Sequence, residues 1–308
     1  MKFVLFAPGY NTKIGGSILM HKLTHILNEL GHDAYIYPYF QTFLYDRTSL
    51  VKLFFKVLES KIRYKMRFKH KRNSSFNTPF YLDHFSEITD DVVVVYPEGT
   101  VGNPLKAKNV VRWLLNKPGL NGNPICYGPN ELYFDHHAFA PHFCFPGSRK
   151  SKNILHITHF PFEIYNLNGA LVDDKRFGTA YCLRKGKTKN IVHDLQDSIL
   201  IDNLEHEEIA SVFKRVKTFI SYDVHTAYTR FAAMCGANVV VIPNKGVTKK
   251  EWLPYEWQRL GAAYGFEDLE YSISTKHLVE SVVRDMESKQ IDGVKIFIDE
   301  VQSYFSLS

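Results

Sequence analysis

With 308 residues, 45% hydrophobic and 14% aromatic, the chain can fill two α/β cores of about 150 residues each. No run of eighteen apolar residues occurs, which excludes an ordinary hydrophobic spanning helix. The formal net charge is +6, and the four cysteines (Cys126, Cys144, Cys182 and Cys235) form no Cys-x-x-Cys pair, so they read as reduced thiols of a cytosolic protein. The opening MKFVLFAPGY reads as a buried strand rather than a signal peptide, and the expected location is cytoplasmic.

In chain order, residues 2–7 form a strand and residues 8–17 a loop with adjacent Gly15 and Gly16. A helix over 18–30 follows, with Leu19, Leu23, Ile26, Leu27 and Leu30 on one face, then a strand over 34–37. Two adjacent glycines let the backbone approach a ligand closely, but no full Gly-x-Gly-x-x-Gly is present and a nicotinamide dinucleotide is not expected. Residues 52–72 hold nine Lys or Arg against Glu59 alone, interleaved with Phe54, Phe55, Ile62, Tyr64 and Phe68. That composition suits an anionic membrane surface; a solvated helix face is the plain alternative. No recognised nucleic-acid motif accompanies it, so no nucleic acid partner is expected.

Residues 92–96 form a four-valine strand ending at Pro97 and Glu98, and 109–115 a short helix or strand. A turn is expected over 118–124, and an aromatic stretch over 125–145 is centred on Asp135, His136 and His137. Pro, Gly, Ser and charge cluster over 144–152, which reads as a hinge. Beyond it come strands at 154–157 and 178–182, then Arg184, Lys185, Gly186 and Lys187. Short strands at 191–192 and 198–201 and a helix over 204–213 follow, the helix opening with Glu205, Glu207 and Glu208 at its positive end.

Residues 217–243 form a βαβ unit: strand 218–221, a turn at Tyr222 and Asp223, helix 226–234, Gly236, and the strand 239–242 stopped by Pro243. In an open parallel sheet the ligand crevice lies outside the carboxyl ends of the strands, where Asp223 falls. The next helix would present unpaired N–H groups there. Helices at 276–287 and 291–305 finish the chain, the second with a Val294, Phe297, Ile298, Val301, Tyr304 and Phe305 stripe.

The 217–243 stretch resembles the donor-binding segment of GT-B-fold glycosyltransferases, where a carboxylate, seven residues and a second carboxylate precede a small-residue turn and a Val-rich strand. Asp223 matches the first carboxylate; Phe231 stands at the second. The resemblance implies an α/β GT-B fold, two Rossmann-like domains facing a central cleft. The acceptor domain would span 1–148, the nucleotide-sugar donor domain 149–290, and a helix over 291–308 would cross back to the first.

The implied activity is metal-independent sugar transfer from a nucleotide sugar to a glycan or lipid-linked acceptor in surface polysaccharide or glycoconjugate synthesis, peripheral to the membrane through 52–72. Arg184, Lys185 and Lys187 would hold the diphosphate, and Asp223 the donor sugar, with Tyr222, His225 and Thr226 beside it. Gly15 and Gly16 would meet donor or acceptor. An inverting enzyme needs a general base, for which Glu98 and Asp135 are candidates, with His136 or His137 behind them; a retaining enzyme needs none. No Asp-x-Asp occurs, and no metal or other cofactor is expected. His136, His137, His156 and His159 read as core or hydrogen-bonding histidines. The rival readings are a sugar-nucleotide epimerase of the same fold and a non-catalytic module that binds a nucleotide or partner, the latter favoured by Phe231.

Overall fold

The computed structural model describes residues 1–38, 71–81, 88–119, 125–136 and 143–307. His137 and residues 52–70 of the basic stretch lie outside the described residues, as does most of the expected 118–124 turn. The chain divides into two compact units, Met1–His159 with Glu287–Ser308, and Phe160–Met286.

The first unit holds a six-stranded sheet: β1 (Lys2–Ala7), β2 (Asp33–Pro38), β3 (Val92–Pro97), β4 (Asn109–Leu114), β5 (Leu132–Asp135) and β6 (Arg149–Ile154). Their order is β2-β1-β3-β4-β5-β6, every pair parallel. A parallel sheet is covered on both faces, which explains why Val92, Val93, Val94 and Val95 are all wholly buried. Alternate side chains go to opposite faces: Phe3, Leu5 and Ala7 join one core, Val4 and Phe6 the other. Helix α1 (Gly15–Glu29) covers the first face with Met20, Leu23, Ile26 and Leu27.

The second unit holds β7 (Phe177–Cys182), β8 (Ser198–Leu200), β9 (Val216–Ser221), β10 (Asn238–Val241) and β11 (Ala262–Tyr264). Their order is β11-β10-β9-β7-β8, again parallel throughout. Helices α2 (His206–Arg215), α3 (Tyr228–Met234) and α4 (Leu269–Thr275) connect or cover them. Glu208 accepts the Glu205 N–H at 2.9 Å, so the acidic start of α2 also caps it. Buried Arg176 ties the unit together by donating to the carbonyls of Phe213, Val216 and Cys235.

The last helix, α5 (Val279–Phe305), contributes Val279 and Val283 to the second core and Val294, Phe297, Ile298 and Val301 to the first. Two parallel Rossmann-like sheets in succession, with the final helix returning to the first unit, make the GT-B fold that the sequence led us to expect.

Four local expectations change. Of the hinge expected over 144–152, residues 149–152 instead belong to strand β6, paired with β5, and Leu155 and Ile157, expected in a strand that opens the second domain, lie in the first unit's core. An edge strand has a neighbour on one side and needs little apolar surface, so RKSKNI gives no strand signal. The two final helices are one: nothing between 287 and 291 breaks the ladder, and a Cβ at Gly293 would meet no atom. Residues 191–192 are loop rather than strand, while 109–114 take the strand form of the two readings left open.

Candidate functional site

In each sheet the chain turns outward on both sides of a central pair, β1 and β3 in the first, β7 and β9 in the second. Such switch points leave a crevice at the carboxyl ends of the strands.

At the second unit's switch point, Cys182 and Ser221 are register partners at the ends of β7 and β9. The Tyr222 N–H donates to the Cys182 carbonyl at 3.0 Å. Past Cys182 a single 3-10 turn, Arg184–Gly186, folds against the Tyr222 backbone. A Cβ at position 186 would lie 2.1 Å from the Tyr222 carbonyl oxygen, so only glycine allows this approach. Asp202 pins the same turn, accepting the N–H of Leu183 at 3.2 Å and of Arg184 at 3.0 Å. Arg184 itself adopts φ 40°, a left-handed conformation uncommon for a side-chain-bearing residue. Its guanidinium lies 4.2 Å over the Tyr228 ring.

The packed turns bring opposite charges together. Asp223 is buried; its carboxylate accepts the His225 N–H at 3.0 Å and its carbonyl accepts the Ser221 hydroxyl at 2.6 Å. Lys189, which sequence reasoning passed over, donates to the Ile242 carbonyl at 2.6 Å. Burial lowers its pKa, and the nearby Asp223 carboxylate works the other way. His225 is held low by burial, opposed by Asp223 and reinforced by Lys185 and Lys189. Asp223, His225, Lys185 and Lys189 therefore share one field, with Lys185 and Lys187 exposed to solvent. The signal that could have found Lys189 was the continuation of RKGK through TK, one more cation in the same loop.

Two expected donor contacts serve the scaffold instead. The Tyr222 side chain is wholly buried and its hydroxyl meets the Val192 N–H and His193 Nδ1, both at 2.8 Å. Thr226 takes the Tyr228 N–H at 3.3 Å, where α3 begins. Phe231, at the place of the family's second carboxylate, stacks on Tyr165 with centroids 4.2 Å apart inside the core. The side chain at this position is buried within that core.

The first unit's switch point joins Gly15, Gly16 and Glu98. Gly15 and Gly16 open α1, and a Cβ at 16 would touch Leu115 Cδ1 at 3.5 Å. The Leu115 N–H donates to Glu98 Oε2 at 3.1 Å. Burial raises the Glu98 pKa, against the pull of backbone N–H groups from Glu98, Leu115 and Asn116. The other base candidates are engaged elsewhere. Asp135 pairs with Lys150 at 2.7 Å. His136 donates from Nε2 to the Ile157 carbonyl at 2.7 Å and stacks on His156. Nearby, Arg112 and Glu131 form a buried ion pair at 2.7 Å, with Arg112 also donating to the Thr100 and Gly102 carbonyls.

Among the described residues no group of three or more His, Cys, Asp or Glu side chains is arranged to hold a metal ion, and no helix is long and apolar enough to cross a membrane.

No family model and no curated protein matches the sequence. Solved structures that resemble the chain include sucrose-phosphate synthase from Thermosynechococcus elongatus, 8% identical over 96% of this chain and 94% of that one, TM-score 0.42. Another is T4 phage BGT in complex with its UDP-glucose substrate, 10% identical over 99% and 98%, TM-score 0.41. A third is the glycosyltransferase SnogD from Streptomyces nogalater, 14% identical over 97% and 99%, TM-score 0.38. Likeness at this level is silent on activity.

Proposed function

We propose that the chain transfers a sugar from a nucleotide-sugar donor to a hydroxyl of a glycan or lipid-linked acceptor. The observation that carries this reading is the junction of the 184–189 cations with the Asp223 turn at the second sheet's switch point. Arg184, Lys185 and Lys189 are suited to a diphosphate, whose charge grows as the glycosidic bond to the sugar breaks. Arg184 brings a planar fork, pre-oriented by the Tyr228 ring, and the lysines bring point charges. Fixed cations of this kind can do without a metal ion. Asp223, an acceptor-only group, is suited to donor sugar hydroxyls. On the acceptor side Glu98 is the base we favour, since burial raises its proton affinity while Asp135 and His136 are already committed.

The test is calorimetric titration of nucleoside diphosphates and their sugars into wild type and Asp223→Asn, with sugar release and transfer followed in parallel. Asn keeps an acceptor for the His225 N–H, so the fold should survive. Nucleoside diphosphate should bind both proteins within a few-fold, while transfer should fall about 10³-fold in the variant. Equal transfer by both proteins would remove Asp223 from the site. The buried Phe231 favours one other reading, binding without turnover; diphosphate affinity with no sugar release from any donor would select it.

A further inference from the structure

The loop between β7 and β8 carries Lys187 and Lys189, and burial of apolar side chains does little to hold it: Ile191, Val192 and Leu195 are exposed. Hydrogen bonds hold it instead, and they close on Tyr222 from both ends. Gly186 packs on the Tyr222 backbone, and the Val192 N–H donates to the Tyr222 hydroxyl at 2.8 Å. Lys189 lies between these two anchors, its own N–H donating to the Gly186 carbonyl at 3.0 Å. The same hydroxyl lies 2.8 Å from His193 Nδ1, and His193 Nε2 lies 3.1 Å from the hydroxyl of Ser198, where β8 begins.

These contacts fix where the protons are. A phenol has one proton to give, and the Tyr222 oxygen already accepts the Val192 N–H. Its O–H therefore donates to Nδ1, which must be bare, and the neutral ring carries its proton on Nε2 and donates it to Ser198. The other tautomer would turn the proton of a wholly buried phenol away from its acceptor. Around the ring stand Tyr181, edge-on at 4.9 Å, the two hydroxyls, and Asp194 on the same loop. Burial lowers the His193 pKa, and the Asp194 charge opposes it.

We propose that His193 is a positioning residue of the diphosphate site: as the Nε2–H tautomer it bridges Ser198 to the Tyr222 hydroxyl and so holds Lys189 beside Asp223. The role rests on the sugar-transfer reading for what the cations meet. A second proton, on Nδ1, breaks the bridge and loosens the loop in acid.

The experiment uses the full chain as wild type, His193→Gln and His193→Phe, titrated with inorganic pyrophosphate and with uridine, guanosine and adenosine diphosphates. A glutamine amide offers one acceptor and one donor, spaced much as the ring nitrogens are, and does not titrate; phenylalanine offers neither. Ring-nitrogen NMR of wild type should show His193 as Nε2–H. At about pH 7.5 His193→Phe should bind the best of these anions about tenfold more weakly than wild type, with His193→Gln within about threefold. As pH falls through the lowered His193 pKa, wild type should lose affinity relative to His193→Gln. That ratio cancels the titration of the anion and of His225, which both proteins share. An Nδ1–H ring, equal binding by wild type and His193→Phe, or a ratio that stays flat with pH overturns the proposal. If His193→Phe is too unstable to titrate, the tautomer and the ratio decide. A wild type that binds none of the four anions ends the sugar-transfer reading and this role with it, whereas binding indifferent to His193 ends this role alone.

Discussion

The two switch points use charge in opposite ways. In the first unit three described groups are paired within the fold: Arg112 with Glu131, Asp135 with Lys150, and His136 with the Ile157 carbonyl. In the second, Lys185 and Lys187 face solvent, Arg184 rests on a ring, and Lys189 has a carbonyl and a neighbouring acid. Saturated pairs stiffen a scaffold, whereas cations without full partners can answer an anionic ligand. Under the proposed function, the contrast separates charge that holds the fold from charge that would meet the donor.

That contrast can be broken most forcefully at Arg112. Arg112→Met leaves Glu131 buried and unpaired and should destabilise the first unit by about 3–5 kcal/mol in denaturant titration. Arg112→Met with Glu131→Leu should recover much of the loss; no loss in the single variant would place the ion pair outside the scaffold. Next comes Glu98, the one polar group of that switch point we assign to chemistry. Glu98→Gln should slow transfer about 10³-fold. The base must be ionised, and the Glu98 pKa is raised, so wild-type transfer should fall as pH drops through a value above the usual carboxylate range. That acid limb should vanish in Glu98→Gln. An unchanged limb would assign it to another group.

Smaller effects lie in the second unit. Arg184→Met should lower kcat/KM about 10²-fold while leaving the melting temperature within a few degrees, the reverse of Arg112→Met. A large loss of stability there would erase the distinction between the units. Lys187→Ala should cost least, about two- to threefold and less at high salt, because an exposed charge acts through screened solvent. An effect as large as that of Arg184→Met would put Lys187 in direct contact with ligand.

Much of this architecture could be read from the chain. The four-valine run of β3, the Gly15-Gly16 turn and the strand, Asp223 and helix order each carry a local pattern that tertiary packing did not override. The 184–187 turn and Asp223 were expected near one another, and Gly186 explains how closely: a steric fact about one hydrogen in place of a methyl, invisible without coordinates. Lys189 escaped notice because its importance depends on which way a loop returns, not on its neighbours in sequence. Tyr222 misled for the same reason, since an aromatic beside an acid says nothing of which side it faces. β6 stayed hidden because its hydrogen bonds, unlike its side chains, are what place it in the sheet.

That strand has a consequence for the protein in solution. Among the described residues β6 lies at the margin of its sheet, where one row of N–H and C=O groups has no neighbouring strand. Arg149 and Lys152, the exposed cations along it, make a second chain unwelcome as the next rung, since stacking like charges across a ladder is unfavourable. Replacing these cations with threonine or valine would turn a guarded border into a template for self-association.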